Sequence, residues 1–261
     1  MQIGGQVEVP LRYEFPLNER VRLLLRLEDT LRRVAEAAYE SSPDAHRYAL
    51  VSLCELIELT TRIDLKAEVR SEAERQRGQL RVLRGLADID EAALDRAIGE
   101  LEQVIERING SSHRAGARCR DDGWLSMVRA RVGVPGGVTR FDMPSVNYWL
   151  ALDPASRRDR LIGWLNDFEC VNDGVGSVLR LLRACADNRS EQARGGQFQR
   201  ALGARLPILV AIDLPPGLDV IPELSANRTT LLVRFLQFAE GGRPRPLDGD
   251  VAFGLAVTYA S

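Results

Sequence analysis

The chain is almost without lysine: of its 35 Lys and Arg residues, Lys66 is the single lysine. Positive charge is therefore carried by arginine, whose planar fork grips carboxylates bidentately. Histidine is scarce, with only His46 and His113, and the four cysteines (Cys54, Cys119, Cys170 and Cys185) include no Cys-x-x-Cys pair. That ligand supply is too thin for zinc, so neither metal nor cofactor is expected. Cys54, Cys170 and Cys185 lie among apolar helical residues, which fits buried thiols in a reducing cytosol. No apolar run approaches the roughly 20 residues of a membrane span. The start, M-Q-I-G-G-Q-V-E-V-P, lacks the basic and apolar regions of a secretory signal. A cytoplasmic protein with no membrane insertion is expected.

Catalytic signatures are missing as well. Pro135-Gly136-Gly137 lacks the spaced glycines and the Lys-Ser/Thr of a phosphate loop. No Gly-x-Ser-x-Gly elbow occurs. The pair Asp121-Asp122 fits a solvated helix start, where carboxylates favour the dipole. These absences predict a protein that is not an enzyme.

What is present is a chain of 261 residues, 45% hydrophobic, long enough to bury one large core or two modest ones. Gln6 to Phe15 alternates like a strand, with Pro10 marking an edge or an irregularity. From Leu17 the period becomes helical through Val21, Leu24, Leu31 and Ala35. A second helix passes through Leu53, Leu56 and Ile57 and continues beyond Arg62 to Arg84. Asp90 caps a further helix that ends at Asn109-Gly110, and a short one spans about Asp122 to Arg131. Pro144 opens a helix carrying Trp149, and Asp153-Pro154 opens another. After a last helix, Asn172 to Ala186, the period turns to that of strands at Gly195–Leu202, Leu206–Leu214, Thr229–Phe238 and Val251–Tyr259.

The fold class is thus α+β: an N-terminal, mainly helical domain packed on a C-terminal antiparallel β domain that also recruits the N-terminal strand. The expected division is residues 1–15 for that strand, 16–190 for the helical domain and 191–261 for the β domain. A short strand over residues 138–141 is expected to join the sheet as well, because a lone strand leaves its backbone groups unpaired.

Charge is the remaining signal. Arg62, Lys66, Arg70, Arg77, Arg81 and Arg84 could form a basic stripe on one helix, or a solvated face paired with Glu68, Glu72 and Glu74. From Ser111 to Arg140 there are six arginines (114, 118, 120, 129, 131 and 140) against Asp121 and Asp122, in a chain of net charge −2. Such an excess can steer an acidic segment and hold its carboxylates. Arg228 and Arg234 sit in or beside a strand, and if that strand were an edge, a peptide could add to it. The alternative partner is nucleic acid, disfavoured by the net charge and by only 6% aromatic residues for base stacking.

Phe15-Pro16-Leu17-Asn18-Glu19, Arg26 with Glu28, Arg75-Gln76, Arg129-x-Arg131, Pro135-Gly136-Gly137, Phe141-Asp142 with Pro144, Trp149-Leu150 and Arg234-Phe235 follow one another along the chain. In kind and order these segments resemble the ZapD family of bacterial cell division proteins. The resemblance implies a symmetric homodimer without enzymatic activity. It implies binding to the short C-terminal tail of the tubulin-like GTPase FtsZ, lateral cross-linking of FtsZ filaments, and Z-ring assembly during septation at the mid-cell division site. It also implies tail binding on basic residues around a groove between two domains. Arg26, Arg62 and Arg234 match arginines of that set, and Arg228 stands where the family tends to be basic. Gly123 and Thr230 depart from expected basic residues, and Asn147 replaces a histidine. With Lys66 from the stripe and Arg129 and Arg131 from the cluster, the expected tail-binding set is Arg26, Arg62, Lys66, Arg129, Arg131, Asn147, Arg228 and Arg234.

Overall fold

A computed structural model of the chain describes residues 10–86, 89–139, 141–238 and 242–260. It is α+β, and it divides into two units, Leu23–Leu181 and Met1–Arg22 with Leu182–Ser261. The first unit is helical: α1 (Glu19–Tyr39), α2 (Pro43–Arg62), α3 (Leu65–Val82), α4 (Glu91–Gly110), α5 (Ala117–Asp121), α6 (Gly123–Val132), α7 (Pro144–Ala151), α8 (Pro154–Leu165), a 3-10 turn (Asn166–Phe168) and α9 (Glu169–Ala184). The boundaries between units fall inside α1 and α9.

Helix starts follow local chemistry. Ser42, Asp90, Asp122 and Asp153 each accept a backbone N–H of the first turn, and prolines open α2, α7 and α8. Leu24, Leu27, Leu31 and Val34 are the buried stripe of α1, and Leu50, Leu53, Leu56 and Ile57 that of α2. α2 packs against α6, α7 and α8, while α3 packs against α4.

The helix expected to run past Arg62 to Arg84 is instead two. Ile63 is extended (φ −132°, ψ 138°), and the Asp64 side chain accepts the Ala67 N–H at 3.2 Å, starting α3 afresh. A short aspartate cap outweighs a run of good helix formers here, so Arg62 belongs to a different helix from the rest of the expected stripe. The strand expected over 138–141 is also not formed among the described residues. Gly136 takes φ +74°, and the N–H groups of Gly137 and Thr139 bond back to Val134 and Gly136 at 2.8 and 3.0 Å. Backbone groups satisfied in consecutive turns are not available to a ladder.

A buried polar anchor ties the α1–α2 corner to α7 and α8. Arg157, 3% exposed, donates from Nε to His46 Nδ1 at 2.7 Å, to the Leu150 carbonyl at 2.8 Å, to the Leu152 carbonyl, and to the Ser41 carbonyl at 2.8 Å. Because Nδ1 accepts, the hydrogen-bond network assigns the proton to Nε2, which donates to the Ala38 carbonyl at 3.1 Å. No carboxylate contacts Arg157 among the described residues, so its charge is met by carbonyl dipoles.

The β unit holds two antiparallel sheets. The first has the order β1 (Leu11–Pro16), β4 (Pro207–Leu214), β8 (Val251–Tyr259), β2 (Asp187–Ala193). The second has the order β3 (Gln197–Ala201), β6 (Thr230–Gln237), β5 (Ile221–Ala226), with β7 (Arg245–Pro246) also paired to β6. Val210, Ile212, Val233, Phe235, Phe253 and Leu255 belong to one core cluster, in which Phe198 meets Phe253 edge-on at 5.3 Å. The N-terminal strand joins the sheet as expected, from Leu11 opposite Leu214 to Pro16 opposite Leu209. The expected strand start, residues 6–9, lies outside the described residues. Glu14 of β1 accepts two hydrogen bonds from Arg183 at 2.8 and 2.7 Å, and Thr258 bonds the Leu182 carbonyl at 2.9 Å, so both edge and centre of this sheet are tied to the end of α9. β6 is an inner strand between β3 and β5, not the edge to which a peptide could add.

Two substitutions test this packing. Arg157→Met keeps the volume but leaves three carbonyls and His46 without their donor. It should cost about 3 kcal/mol and lower the thermal midpoint by roughly 6–12 °C, read by circular dichroism. At Gly174 in α9, an added Cβ would stand 2.6 Å from Val69 Cγ1 of α3 and 3.2 Å from Val104 Cγ1 of α4. Gly174→Ala should therefore melt below wild type although alanine is the better helix former, and Val69→Ala in the same chain should recover part of the loss.

Candidate functional site

Each unit carries a cleft bordered by one or more of the expected arginines. In the helical unit the cleft lies between α2 and α6, measures about 460 Å³, and is lined by Cys54, Glu55, Glu58, Leu59, Arg62, Arg129, Val132 and Gly133. Its geometry follows from packing: Leu125 and Val128 of α6 are fully buried, and α6 seats on α2, which carries Arg129 across to Glu58. Glu58 also precedes Arg62 by one helical turn. The result is one carboxylate between two guanidiniums, Glu58 Oε2 to Arg129 Nη2 at 3.4 Å and Oε1 to Arg62 Nη2 at 3.8 Å. Arg62 is widely exposed, whereas Arg129 is mostly covered, and its Nε is buried without an acceptor among the described residues. Beside them Glu55 pairs with Arg33 of α1 at 3.3 Å.

Cys54 forms part of the apolar wall. Burial pushes its thiol up to about 12, only partly opposed by the Arg129 charge, so it stays a neutral thiol and not a nucleophile. Cys119 is likewise pushed up to about 12, first by burial and then by the Asp167 carboxylate.

In the β unit, a cleft of about 450 Å³ is lined by Phe15, Pro222, Glu223, Leu224, Ser225, Leu232 and Arg234. Arg234 occupies the middle of β6, opposite Gln197 of β3 and Glu223 of β5, and is exposed. Arg228 stands at the tip of the β5–β6 turn. There the Asn227 carbonyl Oδ1 accepts the N–H groups of Thr229 and Thr230, both at 2.8 Å, and shapes the turn that presents Arg228 to solvent.

The structure separates the expected residues by how they are employed. Arg62 and Arg129 are brought to one cleft but share Glu58. Lys66, in the first turn of α3, donates to Ser111 Oγ at 2.6 Å and to the His113 carbonyl, so its ammonium is a strut between α3 and the end of α4. Arg26 on α1, Arg131 in the last turn of α6, Arg228 and Arg234 are exposed and make no ion pair among the described residues. Asn147 is exposed on α7. Arg120, another arginine of the cluster between Ser111 and Arg140, is turned inward to Thr60 Oγ1 at 2.6 Å and the Ala115 carbonyl at 3.1 Å. Sequence reasoning missed Glu58; the spacing Glu55, Glu58, Arg62 was the available signal, since it puts all three on one face of α2.

A family model described as "ZapD: Cell division protein" matches residues 25–234, which spans the interval from Arg26 to Arg234. The chain is 39% identical over 251 residues to "Cell division protein ZapD" of Aromatoleum aromaticum, covering 96% of this chain and 97% of that protein. It is 37% identical over 245 residues to the protein of the same name from Azoarcus sp. strain BH72 (94% and 98% covered) and 39% identical over 246 residues to that of Dechloromonas aromatica (94% and 98% covered).

The chain belongs to the ZapD family.

Its role is therefore in cell division. Among the described residues no helix is long and apolar enough to cross a membrane.

The thiol environment yields a direct check. With N-ethylmaleimide at pH 8, peptide mass spectrometry of the native protein should find Cys54 and Cys119 unmodified, because their raised pKa values leave almost no thiolate there. Modification should appear only after denaturation.

Proposed function

We propose that this protein is a non-enzymatic cell division factor that binds the C-terminal tail of FtsZ and, as a homodimer, cross-links FtsZ filaments into bundles, promoting Z-ring assembly at mid-cell in the cytoplasm. The observation that carries this reading is the set of exposed arginines, Arg26, Arg131, Arg228 and Arg234, that find no acidic partner among the described residues of a chain whose net charge is negative. Uncompensated guanidiniums on an overall acidic protein favour a carboxylate-bearing segment over a polyanion such as nucleic acid, which calls for a broad basic excess.

The mechanism needs little from each contact. Exposed charge pairs contribute about 0.2–1 kcal/mol apiece, so one tail is held weakly. Many tails displayed along a filament raise the effective concentration at the second site of a twofold dimer, and avidity converts weak contacts into stable bundles. Screening by salt opposes each contact, so bundling should fade as ionic strength rises.

Right-angle light scattering of FtsZ with GTP tests the proposal. This protein should raise the signal with full-length FtsZ and not with FtsZ lacking its tail. Arg228→Glu combined with Arg234→Glu should weaken tail binding by roughly tenfold, two exposed pairs' worth, while leaving the melting curve unchanged. Bundling of tail-deleted FtsZ would sink the proposal.

A further inference from the structure

We propose that the α2–α6 cleft is a carboxylate clamp whose resident occupant is the protein's own Glu58, and that an acidic partner binds there by displacing it. This rests on the reading of the protein as a binder of an acidic tail, and it names how one part of that surface is regulated.

Glu58 already occupies the position that a ligand carboxylate would take. Guanidiniums from two different helices converge on it, Arg129 from α6 at 3.4 Å and Arg62 from its own helix at 3.8 Å. Both contacts are longer than the 2.7–2.9 Å of a charge-assisted hydrogen bond. The Arg129 Nε has no acceptor among the described residues, so the guanidinium has donor capacity that Glu58 leaves unused. Glu58 itself is half exposed, and Arg62 more so, which makes the pair weak and its exchange for another carboxylate inexpensive. Glu55, the other acid of the cleft, is engaged by Arg33 and does not compete in the same way.

The lining gives the ligand its chemistry. Two glutamates balance two arginines, so the closed clamp is neutral and has little pull on small anions. Cys54, Leu59 and Val132 add an apolar wall, and the cleft's volume suits a few residues of extended chain. The fitting occupant is a short acidic peptide that offers a carboxylate to the arginines and an apolar side chain to the wall. Replacing Glu58 by glutamine removes the internal competitor and leaves the lining with one net positive charge.

Fluorescence anisotropy with two labelled probes, the FtsZ C-terminal tail peptide and hexaglutamate, decides the matter for wild type, Glu58→Gln, and Glu58→Gln with Arg62→Gln. Glu58→Gln should bind an acidic probe about two- to fivefold more tightly, with a steeper loss as salt rises, and adding Arg62→Gln should cancel the gain. A tail peptide with its Asp and Glu replaced by Asn and Gln should show no gain. If Glu58→Gln gains on neither acidic probe, the clamp is refuted, and a lowered melting temperature in that variant would show Glu58 to be only a tether of α6. If the tail peptide binds no variant while hexaglutamate still gains from Glu58→Gln, the FtsZ reading falls and the clamp stands.

Discussion

The packing of α6 on α2 governs what this molecule can present. α2 is the helix to which α6, α7 and α8 all attach. Its buried face is closed by Leu50, Leu53, Leu56 and Ile57, and its outer face is left to Glu55, Glu58 and Arg62. Because α6 lies against that helix and buries Leu125 and Val128, Arg129 arrives beside Glu58 through apolar packing as well as charge. Burial of apolar side chains, worth far more than an exposed ion pair, sets the distance, and electrostatics works within it.

The same order of strengths explains the aromatic cluster beyond α6. Trp124 stacks on Trp164 with ring centres 5.6 Å apart, and Arg160 lies over both rings at 4.7 and 4.9 Å. Asp122 caps α6 through the Leu125 N–H at 2.9 Å and also accepts from Trp164 Nε1 at 3.1 Å. One aspartate thereby fixes where α6 begins and which way the tryptophan pair faces.

Much of the architecture was legible in the residues because the signals were local. Asp90 and Asp153-Pro154 announced helix starts, and the strand over Val251–Tyr259 matches its apolar run. The misreadings arose where two preferences disagreed, one local against long-range and one local against local. β2 reads D-N-R-S-E-Q-A and has no apolar alternation, yet it is the edge partner of β8, where only Ala193 must be buried. Around Ile63 the composition favoured helix, and the Asp64 cap overruled it. At the α2–α6 cleft the Glu58–Arg62 pair lay within reach of the sequence through its one-turn spacing, but the sharing of Glu58 with Arg129 did not, because it becomes visible only when α6 is set against α2.

The near absence of lysine has a chemical consequence once Lys66 is seen as a strut between α3 and α4. Acylation of amines, whether by an acetyltransferase or a synthetic ester, is the commonest way to erase positive charge from a protein surface, and a guanidinium offers no such amine. Here the single ε-amine is bonded to Ser111 and His113 and lies apart in role from the exposed arginines. The exposed arginines of each unit are thus closed to neutralisation by amine acylation, and a negative group brought to them offsets their charge without altering them.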